Sequence, residues 1–413
     1  MKVKRINLKN RALALVLVMI MVMSIPAGCR KTPVNPGNTS DNNITATDTG
    51  NQGNDNSGTS DNNGNAQDTS VSMRNAKEVV TAMNVGWNLG NTLDSHGAGN
   101  SLSAETRWSN PKTSQEIIDA VAKQGFNTIR VPVTWAEHLG PAPDYKIDEK
   151  WLERVVEVVD YCINDNLFVI LNTHHEPDYW LVPNGDSDAL CKEMAAIWKQ
   201  IAERFKDYGD LLIFEGMNEP RTKGSAQEWN GGTYEERKTV DAMNQAFVDA
   251  VRSSGGNNGE RCLMLCGYGH NGGSAALSAI TVPEDGHIII AVHAYTPYFF
   301  TYNADGGYSD WDSSKDTDIR SLANTLNTKF VLAGIPVVIT EFGSVNKNNT
   351  KDVVSWISDY MGTMNKYGIK CVWWDNGQYT SNGENFGLLN RRTLQWFNQD
   401  IADALIANSV SGK

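Results

Sequence analysis

Glu219, in Leu211–Pro220 (LLIFEGMNEP), and Glu341, in Pro336–Gly343 (PVVITEFG), each follow an apolar run and precede a turn former. Such runs read as buried strands, so each carboxylate is placed where a strand meets solvent. A charge there is costly unless it is paired or put to use. Two carboxylates on one rim are what cleavage of a glycosidic bond requires: one attacks the anomeric carbon, the other donates a proton to the leaving oxygen. In the retaining version the carboxyls stand about 5–5.5 Å apart. A carboxyl so close to a second negative charge keeps its proton to higher pH, so the better supported one is the nucleophile and the other the acid. Arg130 (NTIRVPV) and a tyrosine hydroxyl are the candidate supports for Glu341. Asn218, just before Glu219, can hydrogen-bond a sugar hydroxyl beside the reacting carbon.

Other polar residues sort around this pair. Glu215 lies four residues before Glu219, so strand alternation puts it on the same face, deeper, as a structural carboxylate that needs a partner. His174 and His175 are adjacent on a strand and should point to opposite faces, which keeps them from sharing a metal ion. His174 is assigned to the site, His175 to its margin or to the framework. Trp135, Tyr179, Trp180, Tyr298, Phe299 and Trp311 follow strand ends and could wall a cleft, since pyranose rings stack on aromatic faces. Trp135 and Trp180 are singled out among them. Asn88 and Asn91 are candidate partners for sugar hydroxyls, while Glu105, Glu176 and Asp375 are expected to fix loops.

The elements that must position these groups alternate. Strands are predicted at Met83–Leu89, Thr128–Val133, Phe168–His174, Leu211–Asn218, Cys262–Gly267, Ile288–His293, Val337–Glu341 and Cys371–Trp374. Helices are predicted at Ser114–Lys123, Glu149–Asn164, Leu190–Tyr208, Thr239–Ser253, Gly273–Ala279, Asp318–Leu332, Asp352–Tyr367 and Thr393–Asn408. Eight strand-then-helix units are an α/β fold of the (β/α)8 TIM-barrel type, in a single catalytic domain over residues 73–413. A doubly wound sheet would need a nucleotide loop, and neither G-x-G-x-x-G after the first strand nor G-x-x-x-x-G-K-[ST] occurs. In a barrel, function gathers at the C-terminal strand ends, and polar or aromatic residues appear around the ends of all the predicted strands but the fifth.

Upstream, a basic stretch (Lys2–Arg11), an apolar run (Ala12–Met23) and Ala27-Gly28-Cys29 read as a signal peptide over residues 1–28, too short for a membrane span. Cys29 after Ala-Gly resembles a bacterial lipid-attachment box, with Pro26 where Leu is usual. Residues 29–72 are rich in Asn, Asp, Gly, Ser and Thr and read as a disordered tether. The chain is therefore expected to be exported, as a lipid-anchored surface protein or a secreted one, and to be monomeric. The net charge of −12 becomes five units more negative once the leader's lysines and arginines are removed, which argues against nucleic acid as a partner. The five other cysteines form no disulfide framework and no metal-ligand spacing, so neither metal nor cofactor is expected.

In order along the chain, GWNLGNTLD (Gly86–Asp94), ETRWSNP (Glu105–Pro111), NTIRVPVTW, LNTHHE (Leu171–Glu176), NEP, VHAYTPY, EFG and VWWDNG (Val372–Gly377) resemble glycoside hydrolase family 5, the cellulase A family, and within it subfamily 4. The resemblance runs from Met73 to the C-terminus. It implies that Glu219 is the acid/base and Glu341 the nucleophile, that Arg130 steadies the nucleophile and that Tyr295 stands beside it. It places His174, Asn218, His293 and Trp374 at the remaining active-site positions, with Trp374 as the platform beneath the sugar. One departure is Ser109, where many relatives have Gly in W-G-N-P. The implied activity is endo-acting hydrolysis of β-1,4-glucan (cellulose, mixed-linkage glucan or xyloglucan) with retained configuration. Mannanase or xylanase activity on the same scaffold is the alternative. A glycan-binding lipoprotein that had lost its activity would lack Glu219 or Glu341, and both are present.

Overall fold

The computed structural model of the chain describes residues 73–176, 187–302, 306–380 and 383–409. The expected leader, Cys29, the tether, Tyr179 and Trp180 lie outside the described residues. Eight parallel strands form a closed barrel: β1 (Gly86–Asn88), β2 (Thr128–Val131), β3 (Phe168–Asn172), β4 (Leu212–Glu215), β5 (Leu263–Asn271), β6 (Ile288–His293), β7 (Val337–Phe342) and β8 (Lys370–Trp373). β8 pairs with β1 through Val372 opposite Gly86 and Trp373 opposite Trp87, which leaves the sheet no edge.

The helices are α1 (Ala76–Ala82), α2 (Gln115–Gln124), α3 (Glu149–Asn164), α4 (Ser187–Phe205), α5 (Tyr234–Arg252), α6 (Ser274–Leu277), α7 (Tyr298–Thr301), α8 (Thr317–Lys329), α9 (Thr350–Asn365) and α10 (Gln399–Ala407). α3 has the bounds its periodicity predicts, burying Trp151, Val155, Val158, Val159 and Cys162, with the Asp148 carboxylate accepting the Trp151 N–H at its start. α5 begins five residues earlier than predicted because Thr233 and Glu236 form a capping box. The fifth helical unit is a single turn.

Two apolar layers hold the barrel. Its outward strand residues pack under the surrounding helices in one large cluster. The inward ones at the lower end, among them Ile170, Ile213, Met264, Ile289, Val338 and Val372, pack on Ala76, Val79, Val80 and Met83 of α1 and the turn after it. α1 was not predicted, although Asn75 and Glu78 form its capping box ahead of that apolar pair.

The strands differ from expectation at their upper ends. β2, β3 and β4 leave the ladder two to three residues early, so His174, Asn218 and Glu219 stand above the sheet. β5 instead runs four residues further, through a register shift between Cys266 and Asn271. The predicted helix Thr393–Asn408 is shorter, preceded by an antiparallel pair, β9 (Leu389–Asn390) and β10 (Gln395–Trp396). Leu394 sits at φ +58, which a helix cannot accommodate, and the Trp396 ring stacks on Phe126 at 5.8 Å.

Ser109 has φ +73, in the left-handed region where a Cβ is strained. That explains why glycine suits the position. Ser109→Gly should raise stability by about 0.5–1 kcal/mol, the relieved strain outweighing glycine's extra unfolded-state freedom. Thermal unfolding checks this, and a lower Tm would contradict it.

Candidate active site

Arg130, carried by β2, is fully buried inside the barrel mouth and spends its guanidinium on four residues. Nε donates to Glu215 Oε2 at 2.6 Å, Nη1 to Asn88 Oδ1 at 3.0 Å and to Glu341 Oε1 at 2.7 Å, and Nη2 to Asn218 Oδ1 at 2.8 Å. Burial works against its charge, but the two carboxylates keep it firmly protonated. Burial likewise pushes the Glu215 carboxyl up, and Arg130 followed by His270 overcomes this to hold it far below the usual range. Asn172 adds a hydrogen bond to Glu215 Oε2 at 2.9 Å. Glu215 is thus the permanent counter-ion of Arg130.

Glu341, on β7, is 5% exposed and accepts a second hydrogen bond from Tyr295 Oη at 2.8 Å. Glu219 faces it. His293 Nδ1 lies 3.0 Å from Glu219 Oε1 and 3.5 Å from Glu341 Oε2, and an oxygen of each glutamate lies within 4.8 Å of the other. So close an approach is what the class with carboxyls about 5–5.5 Å apart requires. Burial pushes Glu341 up to about 8 against the pull of Arg130, and the Glu219 charge adds to the push. Its two donors, Arg130 and Tyr295, pull the other way and favour the anion.

The histidines stay uncharged. Burial first, then neighbouring positive groups, lowers both His174 and His293 well below the ordinary histidine value. The His174 ring lies parallel to Trp374 at 5.7 Å and 3°. Trp374 packs with Val345 and Phe386, and a side chain on Gly90 would come within 2.8 Å of its indole, so only glycine lets the ring settle there.

Several residues sit otherwise than their sequence context suggests. Asn88 is not a sugar ligand: it is fully buried, with Nδ2 donating to the Thr340 and Trp373 carbonyls (3.0 and 3.1 Å) and Oδ1 holding Arg130. Trp135 is also fully buried, its Nε1 donating to the Asn172 carbonyl at 3.0 Å, so no face remains for a sugar. Trp311 is buried against Phe300, with Nε1 on Asp359. Asn218 gives its oxygen to Arg130, leaving only the amide nitrogen without a hydrogen bond among the described residues. His174 and His175 do not diverge: both lie beyond the end of β3, where the pleat no longer alternates, and their rings are 4.5 Å apart. His175 remains at the margin, against Trp108 and His96.

Glu105 pairs with Arg154, Glu176 accepts the Trp135 N–H, and Asp375 accepts from Trp87 Nε1 and three backbone N–H groups. These three carboxylates fix loops. Three groups bring ligating atoms within 4.8 Å: Asp94 with His174 and His175, Glu215 with His270 and His293, and Glu219 with His293 and Glu341. In the first, both Asp94 oxygens already accept backbone N–H groups. The second abuts the Arg130 charge, which opposes a cation. The third is the carboxylate pair itself.

Three contributors escaped the sequence. Arg221 puts Nη1 3.2 Å from Glu219 Oε2 and lies 4.3 Å over the Trp229 ring. Its place two residues past Glu219 was the only signal. Asn172 bridges Glu215 and His174, at 3.1 Å from the latter. His270 was hidden because β5 was expected to end at Gly267.

Comparison with known proteins agrees with this geometry. Residues 90–380 match the family model described as Cellulase (glycosyl hydrolase family 5). Endoglucanase A of Ruminococcus albus is 51% identical over 338 residues, 81% of this chain and 93% of the relative. A xyloglucan-specific endo-β-1,4-glucanase of family 5 from a metagenomic library, solved with cellotriose, is 56% identical with TM-score 0.79, covering 80% of this chain and 98% of that one. A broad-specificity endoglucanase of subfamily 4 from Clostridium longisporum is 44% identical with TM-score 0.79, over 82% and 99%.

Burial first, with the Glu219 charge adding to it, holds the Glu341 carboxyl up to about 8. In Glu219→Gln the repulsion is gone, and the Glu341 ionisation should drop by at least about 1 unit. Carbon NMR titration of the labelled carboxyl reads this directly, and an unmoved value would contradict the coupling.

Proposed function

The chain belongs to glycoside hydrolase family 5, and from that premise we propose that it is an endo-β-1,4-glucanase acting by retaining double displacement, with Glu341 as nucleophile and Glu219 as acid/base. The single observation that carries the reading is the pair itself: two carboxylates within 4.8 Å, one of them anchored by Arg130 and Tyr295. Glu341 attacks the anomeric carbon while Glu219 gives its proton to the leaving oxygen, breaking the glycosidic bond and forming a glycosyl ester on Glu341. Glu219, now an anion beside Arg221 and His293, takes a proton from water as that water attacks the anomeric carbon of the glycosyl ester, and the Glu341 carboxylate leaves. Arg130 and Tyr295 are already in place where Glu341 regains its charge, so little reorganisation is needed.

Polymer binding is supported by aromatic rings on the rim. Trp374 packs in one cluster with Tyr295, the hydroxyl donor to Glu341, and its ring lies parallel to that of His174. Trp229, in the segment after β4, and Tyr298 and Phe299, after β6, are 50–55% exposed and could stack on successive glucosyl rings. The exposed aromatics are thus not the tryptophan at position 135 that the sequence favoured. A second reading, xyloglucan as the preferred polymer, is favoured by the 56% identity to a xyloglucan-specific enzyme.

A hydrolysis panel of carboxymethyl cellulose, lichenan, xyloglucan, xylan and glucomannan tests both readings. Wild type should cleave the first three, and Glu341→Gln should lose at least about 10⁴-fold on every one while keeping its circular dichroism. Cleavage of xyloglucan alone would select the second reading, and normal turnover by Glu341→Gln would sink the nucleophile assignment.

We also propose that the chain is exported and anchored through Cys29, supported by the Ala-Gly-Cys sequence after a dozen apolar residues. Metabolic labelling with a radioactive fatty acid should mark wild type and not Cys29→Ser. Equal labelling of both would contradict it.

A further inference from the structure

His270 belongs to the one strand end where the sequence showed no chemistry. β5 extends to Asn271 through left-handed backbone at Gly269 (φ +62) and His270 (φ +51), and this kink carries the His270 ring into the barrel mouth, fully buried. There its Nδ1 accepts the backbone N–H of Glu219 at 3.0 Å. An accepting Nδ1 requires the proton of the neutral ring to sit on Nε2. Nε2 is 3.4 Å from Oε1 of Glu215, the carboxylate that Arg130 holds as an anion. The ring also stacks on His293 at 4.1 Å and 24°, and His293 Nδ1 contacts Glu219 Oε1 at 3.0 Å.

Glu219 needs such support. It stands four residues beyond the end of β4, on a backbone with φ +44 that costs about 1–2 kcal/mol for a residue with a Cβ. Nothing in the β4 ladder holds it. His270 grips its main chain directly and its carboxyl through the stacked His293, and its Nε2 faces the Glu215–Arg130 ion pair across 3.4 Å. We propose that His270 is a positioning residue for the acid/base, transmitting the orientation of the buried Arg130–Glu215 pair to Glu219. The inference rests on the acid/base reading of Glu219 given above. It assigns His270 no contact with the substrate.

Substrates that differ in their need for acid assistance provide the test. Cleavage of cellotetraose requires protonation of a sugar oxygen, whereas 2,4-dinitrophenyl β-cellobioside expels a leaving group that needs no proton. His270→Ala should lower kcat/KM for cellotetraose about 100-fold, mainly through kcat, and for the dinitrophenyl glycoside by less than about 5-fold. His270→Asn keeps an acceptor near the place of Nδ1 and tolerates the left-handed backbone, so it should restore most of the lost rate. His270→Gln, with its amide displaced towards the place of Nε2, should not. The Asn and Gln pair decides the matter even where the Ala variant fails to fold. Equal losses on both substrates, no loss, or equal behaviour of Asn and Gln would overturn the proposal. Glu219→Gln run alongside should show the same substrate split. Its failure to do so would bring down the acid/base reading, and His270's role with it, whereas a split in Glu219→Gln without one in the His270 variants refutes the positioning role alone.

Discussion

A guanidinium with no access to water organises the whole mouth of this barrel. Arg130 binds Asn88, Glu215, Asn218 and Glu341, residues from β1, β4, the segment after β4, and β7. Burying it alone would cost several kcal/mol, so the cation is sustainable only with its carboxylates and amide oxygens in place. That requirement runs both ways. Each partner is fixed by the one charge, and the strand ends that carry them are fixed with it. Burial, and the Glu219 charge beside it, push the Glu341 carboxyl up despite the pull of Arg130.

The barrel makes such a cluster possible because its parallel strands deliver side chains from distant parts of the sequence to one rim. The precision comes from where regular pairing stops. β4 ends at Glu215, which stays in the rigid sheet as a counter-ion, while Asn218 and Glu219 continue on irregular backbone. Glu341 sits within β7 and is held by the ladder as well as by Arg130. Glu219 is partly exposed and held by side chains instead. His270, His293 and Arg221 supply what the ladder does not.

Much of this was legible in the sequence. Short apolar runs pointed to the eight strands, and helical spacing set the bounds of α3 to the residue. The two glutamates, Arg130, Tyr295, His174, His293 and Trp374 came together as the family resemblance implied. What failed was reasoning by alternation beyond a strand's end. His174 and His175 were set on opposite faces by a pleat that has already ended, and β5 was ended at Gly267, where left-handed backbone at Gly269 and His270 instead kinks it and lets it run on. Asn88 and Trp135 were misread for another reason. A polar or aromatic residue at a rim can face the ligand or the framework, and only packing distinguishes them. Both are consumed by carbonyls of the framework.

The most direct test of the central claim, a carboxylate pair close enough for covalent catalysis, is capture of the intermediate. Incubation with 2-deoxy-2-fluoro-β-cellobiosyl fluoride, followed by intact-protein and peptide mass spectrometry, should find one fluorocellobiosyl group per chain, attached to Glu341. An adduct on Glu219, or no adduct on a protein that still hydrolyses glucan, would contradict it.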